Sequence, residues 1–474
     1  MLSKRLFRPV RIAGFIVGSS IALMACVTGK PLHPDGGRKP VAYYTDTVTA
    51  PPLPGMALFF HDTLLVSLLK EAVYNNYDAL IADQGIQAAG ARMLAARAPL
   101  APTVGIGSYA SNIRYGYNTM DGLGNATTPG VPQPIVPSYM LGVSSSWEPD
   151  LWGRLRGMKR AARHRYLASQ MGRAMVSTRI VSDVAYRYYE LVSLRDELDI
   201  IHRNIALQTE ALEIMKIQKL SGKVTELAVQ QFSAQLRHTH SMEYAVRRNV
   251  ARVTNELNML RGGLPDSVRT AESIFSEKMP GIVHAGVPAQ LLYNRPDIMA
   301  AASELSAAAA DADVARAALF PSLNITAHLG LNSFYPGTLF DPAALATGLV
   351  ANITGPLINR RQLKSAHLEA LAQNKAAWYR YQSKVLGAVY EVRYLMSAIS
   401  NQEQQLLFLQ QESATLTEAI EIAKDLYIGG YASYLEVITA QKSALEAELN
   451  ALHARKELFF SNVDLYRALG GGWQ

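Results

Sequence analysis

The stretch "ARAALFPSLNITAHLGLN", from Ala315 to Asn332, changes its character at a single proline. Before Pro321 the stretch is an alanine-rich run typical of a helix, which proline cannot continue. After Pro321 apolar and polar residues alternate, which is the pattern of a strand with one apolar face. We therefore predict a helix that gives way to a β-strand at this proline.

The same arrangement occurs earlier, in "ARAPLAPTVGIGSYASN" from Ala96 to Asn112, where five of the first seven residues are identical. Later in the chain, "GKVTELAV" at 222–229 is answered by "GYASYLEV" at 430–437. Such internal similarity indicates two copies of one structural unit. Each unit reads as helix, strand, strand, long helix, turn and long helix.

Four segments of about ten residues carry the alternation expected of strands that cross a membrane; they lie at 103–112, 138–147, 322–333 and 345–353. Three of them have a clear apolar side, made of Leu323, Ile325, Ala327, Leu329 and Leu331, of Tyr139, Leu141, Val143, Ser145 and Trp147, and of Leu345, Thr347, Leu349, Ala351 and Ile353. The alternative is an ordinary half-buried sheet. If the strands span a membrane, Leu329 faces lipid and Gly330 the lumen, so an arginine should be tolerated better at Gly330.

The two long helical hairpins are the strongest periodic signal. Their first helices are predicted over 157–220 and 360–428, each about 90–100 Å long at 1.5 Å per residue. A seven-residue repeat runs along the first of them, through Val184, Leu191, Leu198, Ile205 and Leu212. Such spacing is typical of helices packed side by side, and by itself it also fits a purely structural coiled coil.

Four strands cannot close a barrel, and an open sheet edge is not tolerated in lipid. If these strands span a membrane, several chains must contribute strands to one barrel. Strands within the bilayer and long helical rods outside it together predict a mixed α and β membrane protein.

The N-terminus predicts export and lipidation. Residues 1–25 combine a basic start with a short apolar run and read as a signal peptide. The run ends in "LMAC", which resembles a bacterial lipobox, so Cys26 is the predicted site of acylation; the alternative is a buried unpaired cysteine. Residues 26–62 are rich in proline and read as a tether.

Composition and motifs exclude several classes of function. The formal charge of +7 falls to +3 once the leader's basic residues, Lys4, Arg5, Arg8 and Arg11, are removed, which is too little to attract nucleic acid. There is no Walker A, GxSxG or HExxH motif, and we expect no enzyme activity and no cofactor. The ten histidines are scattered, so no metal site is expected, and "RGGLP" and "LGGGW" read as the ends of long helices.

The chain resembles the outer membrane efflux proteins, the TolC-like outer membrane factors, and within them the lipoprotein branch that serves RND multidrug pumps. The resemblance rests on "SSWEPDLWGRLR", "LLYNRPDIMAAASEL", "ARAALFPSLNITA", "GGYASYLEVITAQ" and "DLYRALGGGW". It implies a homotrimer with a twelve-stranded transmembrane β-barrel, continued into a long periplasmic α-helical barrel with a mixed equatorial region. On this reading 63–262 is the first repeat, 263–294 an equatorial linker and 295–474 the second repeat.

The resemblance also implies a function and partners. The chain would be a passive exit duct in the outer membrane for drugs or other small molecules, served by a periplasmic adaptor (membrane fusion) protein and an inner-membrane RND-type pump. A type I protein secretion duct, a heavy-metal efflux duct and a structural lipoprotein without passage remain alternatives.

The turns of the two hairpins, at 222–227 and 429–435, are the predicted periplasmic tip. Glycine allows the left-handed backbone that such turns need, and Thr225 and Ser433 stand where N-caps belong. By resemblance, the adaptor docks on these turns, at Gly222, Thr225, Gly430 and Ser433, and Tyr427 and Glu436 form the periplasmic constriction. A ring of carboxylates there would favour cations.

Overall fold

The computed structural model describes residues 55–127, 129, 135–279, 294–355 and 360–473. The predicted signal peptide and Cys26 lie outside these residues, as does most of the predicted tether. All the described residues belong to one compact unit.

The first half of the chain contains six helices and two strands among its described residues: α1 (Met56–Phe59), α2 (Thr63–Asn75), α3 (Tyr77–Arg97), β1 (Thr103–Ile113), α4 (Met120–Thr127), β2 (Val136–Trp147), α5 (Arg154–Leu220) and α6 (Glu226–Leu260). The second half repeats the main part of this order, with α7 (Pro296–Ala317), β3 (Ser322–Ser333), β4 (Leu345–Thr354), α8 (Arg360–Ile428) and α9 (Tyr434–Ala468). Short 3₁₀ turns lie at Ala98–Leu100, Pro336–Thr338 and Pro342–Ala344. The predicted order of elements is confirmed in both halves.

The long helices agree with the predicted spans. α5 has 67 residues and α8 has 69. Along α5, Val184, Leu191 and Leu212 are buried, while Leu198 and Ile205 are half-buried against the core. Among the described helices, none contains a stretch that is long and apolar enough to cross a membrane.

All four long helices end on a glycine with the same backbone geometry. Gly222, Gly262, Gly430 and Gly470 have φ between 72° and 91°, the left-handed region that favours glycine. In α8, the N–H of Gly430 donates to the carbonyl of Tyr427 and that of Tyr431 to Leu426. This pair of bonds is the Schellman motif, and the other three helices repeat it. The predicted helix ends at "RGGLP" and "LGGGW" are confirmed.

The strands form one antiparallel sheet in the order β1-β2-β3-β4, so the central pair β2–β3 joins the two repeats. The helices that adjoin the strands pack in the matching order, with α5 between α3 and α7, and α8 against α7. At the predicted junction, α7 ends at Ala317 and β3 begins at Ser322. Trp152 stacks on Phe320 there, with ring centroids 4.9 Å apart, and donates a hydrogen bond to the carbonyl of Pro321.

The main core lies where α1 and α9 pack against the middle of α5. Phe59 stacks on Tyr466 at 4.2 Å, and Tyr189 packs against Phe459. The segment after α6 is held on this core by hydrogen bonds: Asp196 accepts from the N–H of Ile274. Residues 56–62, which the sequence analysis assigned to the tether, are therefore part of the folded body, because Phe59 and Phe60 are buried in this core and Asp62 caps α2.

A half-buried arginine, Arg295, connects three helices of the second repeat. Arg295 donates two hydrogen bonds to Asp297, one to Glu391 on α8 and one to the carbonyl of Ala468 at the end of α9. Its side chain is only 13% exposed. Because α7 begins beside this arginine, the guanidinium joins three helices at one point.

One helix was missed by the sequence analysis. The glycine, asparagine and proline content of residues 115–137 indicates a surface loop, yet α4 lies within them. Thr119 starts this helix, because its hydroxyl accepts a hydrogen bond from the N–H of Gly122. A side-chain bond at the first turn overrides the low helix propensity of the two glycines.

Candidate functional site

The register of the sheet places the three predicted apolar sets on one face. Ile106, Val143, Leu329 and Thr347 pair across the four strands, so their side chains point the same way. We call this side the apolar face; it also carries Val104, Leu141, Ala327, Leu331, Leu345, Leu349, Ala351 and Ile353. The predicted alternation is confirmed.

Nothing in the described part of the chain covers this apolar face. Ile106 is 80% exposed, Leu349 76% and Leu329 55%. A contiguous apolar surface of this kind marks a contact with lipid or with another protein. Because the strands contain ten to twelve residues each and carry most of their apolar side chains on this one face, lipid is the partner that fits.

The opposite side, which we call the polar face, consists mainly of glycine, serine, threonine and asparagine. Its side chains bond to one another across strands: Ser138 donates to Asn332 and Ser146 to Asn324. These groups suit a water-filled interior and would be costly in lipid.

Two glycines on the polar face meet where β2 and β3 pair. A Cβ added to Gly330 would lie 2.6 Å from the carbonyl oxygen of Leu141 and 2.7 Å from the Cα of Gly142. The expectation that Gly330 tolerates an arginine is therefore wrong, because the backbone of β2 fills the space that the side chain would need.

The sheet has two open edges. Among the described residues, β1 pairs only with β2 and β4 only with β3. The backbone groups along the outer sides of β1 and β4 therefore need partners from outside the chain.

The far ends of the two hairpins pack on one another. The tip cluster consists of Leu212, Met215, Val229, Phe232 and Val437, which come from α5, α6 and α9. Tyr427, on α8, is half-buried beside this cluster, and its hydroxyl donates to the Oε1 of Gln218 on α5. Burial raises the pKa of Tyr427. Tyr427 thus links the second hairpin to the first through this hydrogen bond and its packing.

The two turns differ in their capping. The Ser433 hydroxyl accepts from the N–H of Leu435, and the Glu436 carboxylate accepts from the N–H of Ser433, which is a capping box. Hydrogen bonds from the Ser433 side chain lower the pKa of Glu436. Thr225 stands at the predicted N-cap of α6, but its side chain makes no capping bond; its carbonyl accepts from the N–H of Ala228 instead.

The predicted tip residues thus have different surroundings. Gly222 and Gly430 adopt the left-handed conformation. Tyr427 contacts the first hairpin, whereas Glu436 is exposed and bonded within its own turn.

The turns also expose apolar residues that were not among the predicted site residues. Leu220 and Tyr431 are each 87% exposed and flank the turn glycines, and Leu227 and Ile428 are 61% and 72% exposed. The sequence alone could have predicted this exposure, because apolar residues beside a turn glycine have no neighbouring helix to cover them.

A polar cluster links α5 to α6. His202 and His240 lie 3.3 Å and 3.4 Å from the carboxylate of Glu243, which also binds Arg247. Among the residues that the structure describes, no group of three or more His, Cys, Asp or Glu side chains is placed to hold a metal ion. The cluster joins the two helices of the first hairpin through the hydrogen bond between His202 and Glu243.

The family model for "Outer membrane efflux protein" matches residues 68–263 and 287–471, one segment in each repeat. The chain belongs to the outer membrane efflux protein family. The predicted resemblance is confirmed over most of the chain.

Curated relatives cover nearly the whole length of this efflux protein. The pyoverdine export outer membrane protein OpmQ of Pseudomonas aeruginosa is 29% identical, over 86% of this chain and 85% of its own length. The cation efflux system protein CusC of Escherichia coli is 28% identical, over 89% and 88%. The probable outer membrane lipoprotein SilC of Salmonella typhimurium is 27% identical, over 88% of each.

Solved structures share the fold. A crystal structure of CusC superposes with a TM-score of 0.82 at 25% identity, covering 92% of this chain and 98% of that one. The outer-membrane channel OprN gives a TM-score of 0.81 at 25% identity, over 91% and 96%. The predicted fold of an outer membrane channel is confirmed.

Members of this family are channel proteins that act as the outer membrane components of tripartite efflux pumps. This chain is an outer membrane efflux channel, as predicted.

Proposed function

We propose that three copies of this chain close one barrel of twelve strands and one helical tube, forming a passive exit duct across the outer membrane. The open edges of β1 and β4, together with the exposed apolar face, carry this proposal. In lipid every edge must be paired, and the copies of an identical chain offer the complementary edges.

The duct would receive its cargo from a periplasmic adaptor protein and an inner-membrane pump of the RND type. The four exposed apolar side chains at the hairpin turns support docking there, because they lie at the ends of two rods of more than 60 residues. Drugs or other small molecules are the proposed cargo. Heavy-metal cations are the second candidate, favoured by the similarity to the cation efflux system protein CusC.

Deletion of the gene in its own bacterium tests this function. Cells lacking the channel should accumulate an ethidium-type dye or become sensitive to toluene if small organic molecules are the cargo. Sensitivity to copper or silver salts alone would favour the second candidate. Wild-type tolerance of all four compounds would contradict the efflux proposal.

Loss of the exposed tip residues should uncouple the duct from its adaptor. The double substitution Leu220→Ser and Tyr431→Ser removes two anchors that fill no pocket in this chain, so folding should be spared. Interface anchors of this kind contribute about 2 kcal/mol or more each, so efflux should fall about tenfold or more. Met259→Ser changes a similarly exposed apolar residue outside the turns and should leave efflux unchanged. An equal loss of efflux in Met259→Ser and in the double variant would contradict docking at the tip.

The lipid anchor is proposed at Cys26, with the chain between Cys26 and α1, which begins at Met56, as the tether to the body. Cys26→Ser should abolish incorporation of labelled palmitate, because the chain contains no other cysteine. Assembly should be largely retained, since the barrel also holds the protein in the membrane. Palmitate labelling at the wild-type level in the mutant would overturn the lipobox interpretation.

The periplasmic constriction is proposed at Tyr427 and Glu436. Glu436→Gln removes the charge but keeps the capping box, since glutamine serves equally at that position, and should reduce cation preference in single-channel recordings. Tyr427→Ala should raise the resting conductance, because it removes both the ring and the hydrogen bond to Gln218. Tyr427→Phe keeps the ring and removes only the hydroxyl, so comparison of the two variants distinguishes the effect of packing from that of the hydrogen bond. Unchanged selectivity and conductance in these variants would contradict a constriction at Tyr427 and Glu436.

A further inference from the structure

The membrane strands are almost free of ionisable side chains. Over the four strands as described, 103–113, 136–147, 322–333 and 345–354, there is no Asp, Glu, Lys or Arg. His328 is their single basic residue. A charge in such a setting has no neighbouring charge to offset it.

The register places His328 on the polar face. It pairs with Ser144 on β2 and with Gly348 on β4, and it is the seventh of the twelve residues of β3. The side chain therefore lies near the middle of the strand on the side opposite the apolar face.

The sheet makes room for this imidazole. A Cβ added to Gly348 would lie 2.0 Å from the Cε1 and 2.6 Å from the Nε2 of His328, so the ring occupies the space above that glycine. Among the described residues, neither ring nitrogen has an ion-pair partner. His328 is half-buried.

The surroundings of His328 on this face are uncharged. Across β2 and β4 its neighbours are serine and glycine, and the other titratable group on the face is the phenol of Tyr109 on β1, which lies within hydrogen-bonding distance of Ser138. The acidic and basic residues that flank these strands along the chain lie beyond the strand ends: Arg114 after β1, Glu148 after β2 and paired with Arg154, Arg316 before β3 and Asp341 after it.

We propose that His328 is a selectivity-determining residue of the barrel, which makes the lumen anion-preferring in acid and neutral at higher pH. The inference rests on the proposed trimer, which repeats the imidazole three times around the axis. Imidazole is the side chain that ordinarily gains its charge between pH 5 and 8. The low-dielectric wall concentrates the field of such a ring in the lumen.

Planar bilayer recordings of the purified full-length protein test this directly. The reversal potential in a potassium chloride gradient, measured at pH 5 and pH 8 in low salt, gives the chloride-to-potassium permeability ratio. Because the Debye length is about 30 Å at about 10 mM salt, we expect the wild-type ratio to rise about twofold on acidification.

Three variants decide the outcome. His328→Gln should abolish the pH-dependent rise, and His328→Lys should give the raised ratio at both pH values. His238→Gln, at a helix position outside the strands, should behave like the wild type. A rise that persists in His328→Gln, or a pH-independent ratio in the wild type, would overturn the role of His328 while leaving the duct intact. A purified trimer without any conductance would overturn the duct and this inference together.

Discussion

Arg295→Ala should cost about 1.5–3 kcal/mol of folding stability, because it removes the cation that the half-buried Asp297 shares with Glu391 and leaves Glu391 with Arg467 alone. Burial alone would raise the pKa of Asp297, but the hydrogen bonds from Arg295 hold it below its ordinary value. The depressed pKa means that this stabilisation is present at neutral pH and is lost as the pH falls through the folded-state pKa of Asp297. Urea denaturation of the purified protein, followed by circular dichroism, measures the change.

A surface ion pair provides the matched control for this change. Arg179 pairs with Asp183 one turn along α5, and its side chain is 75% exposed. Arg179→Ala should therefore cost about 1 kcal/mol or less. Equal losses of folding stability in Arg179→Ala and Arg295→Ala would contradict the stabilising role assigned to the Arg295 ion pairs.

Leu329→Arg should cost about 2–4 kcal/mol if Leu329 meets lipid near the middle of the bilayer. The physical reason is the transfer of a guanidinium from water to hydrocarbon. The expected result is a strong loss of assembled protein in the outer membrane, measured as the fraction of heat-modifiable oligomer on gels.

Ser144→Arg is the control at the same depth. Ser144 is exposed on the polar face, pairs with His328 and directly follows Val143, the partner of Leu329 in the register. An arginine there would reach water and should assemble nearly as well as wild type. Equal assembly defects in both variants would contradict the assignment of the two faces.

Local sequence signals predicted the elements of this fold well. Period-two alternation located all four strands, and seven-residue spacing located the long helices, because both patterns depend only on near neighbours in the chain. The glycines that end the helices were predictable for the same reason, since a left-handed residue is required at each of those positions.

Contacts between distant residues escaped the sequence analysis. Nothing local reveals that Arg295 reaches Glu391, that Tyr427 reaches Gln218, or that Gly330 meets the backbone of β2. These contacts depend on the register and packing of elements far apart in sequence. The missed α4 has a different cause, a side-chain bond from Thr119 that offsets unfavourable composition.

Closure of the barrel by several copies can be tested by disulfide cross-linking of the edge strands β1 and β4 of neighbouring copies. Ser108→Cys on β1 is combined in turn with Thr347→Cys or Ala351→Cys on β4, all on the apolar face. Within one chain these strands are separated by three strand spacings, about 14 Å, too far for a disulfide, which needs Cα atoms within about 7 Å. Every cross-link therefore joins two chains.

Oxidation of the double-cysteine variants in the outer membrane, followed by non-reducing gels, counts the chains in the ring. Single-cysteine variants should give no ladder. The double variants should give dimers and trimers and nothing larger, because three sheets of four strands close the barrel. A ladder that continues beyond three chains, or that stops at two, would contradict the trimeric duct.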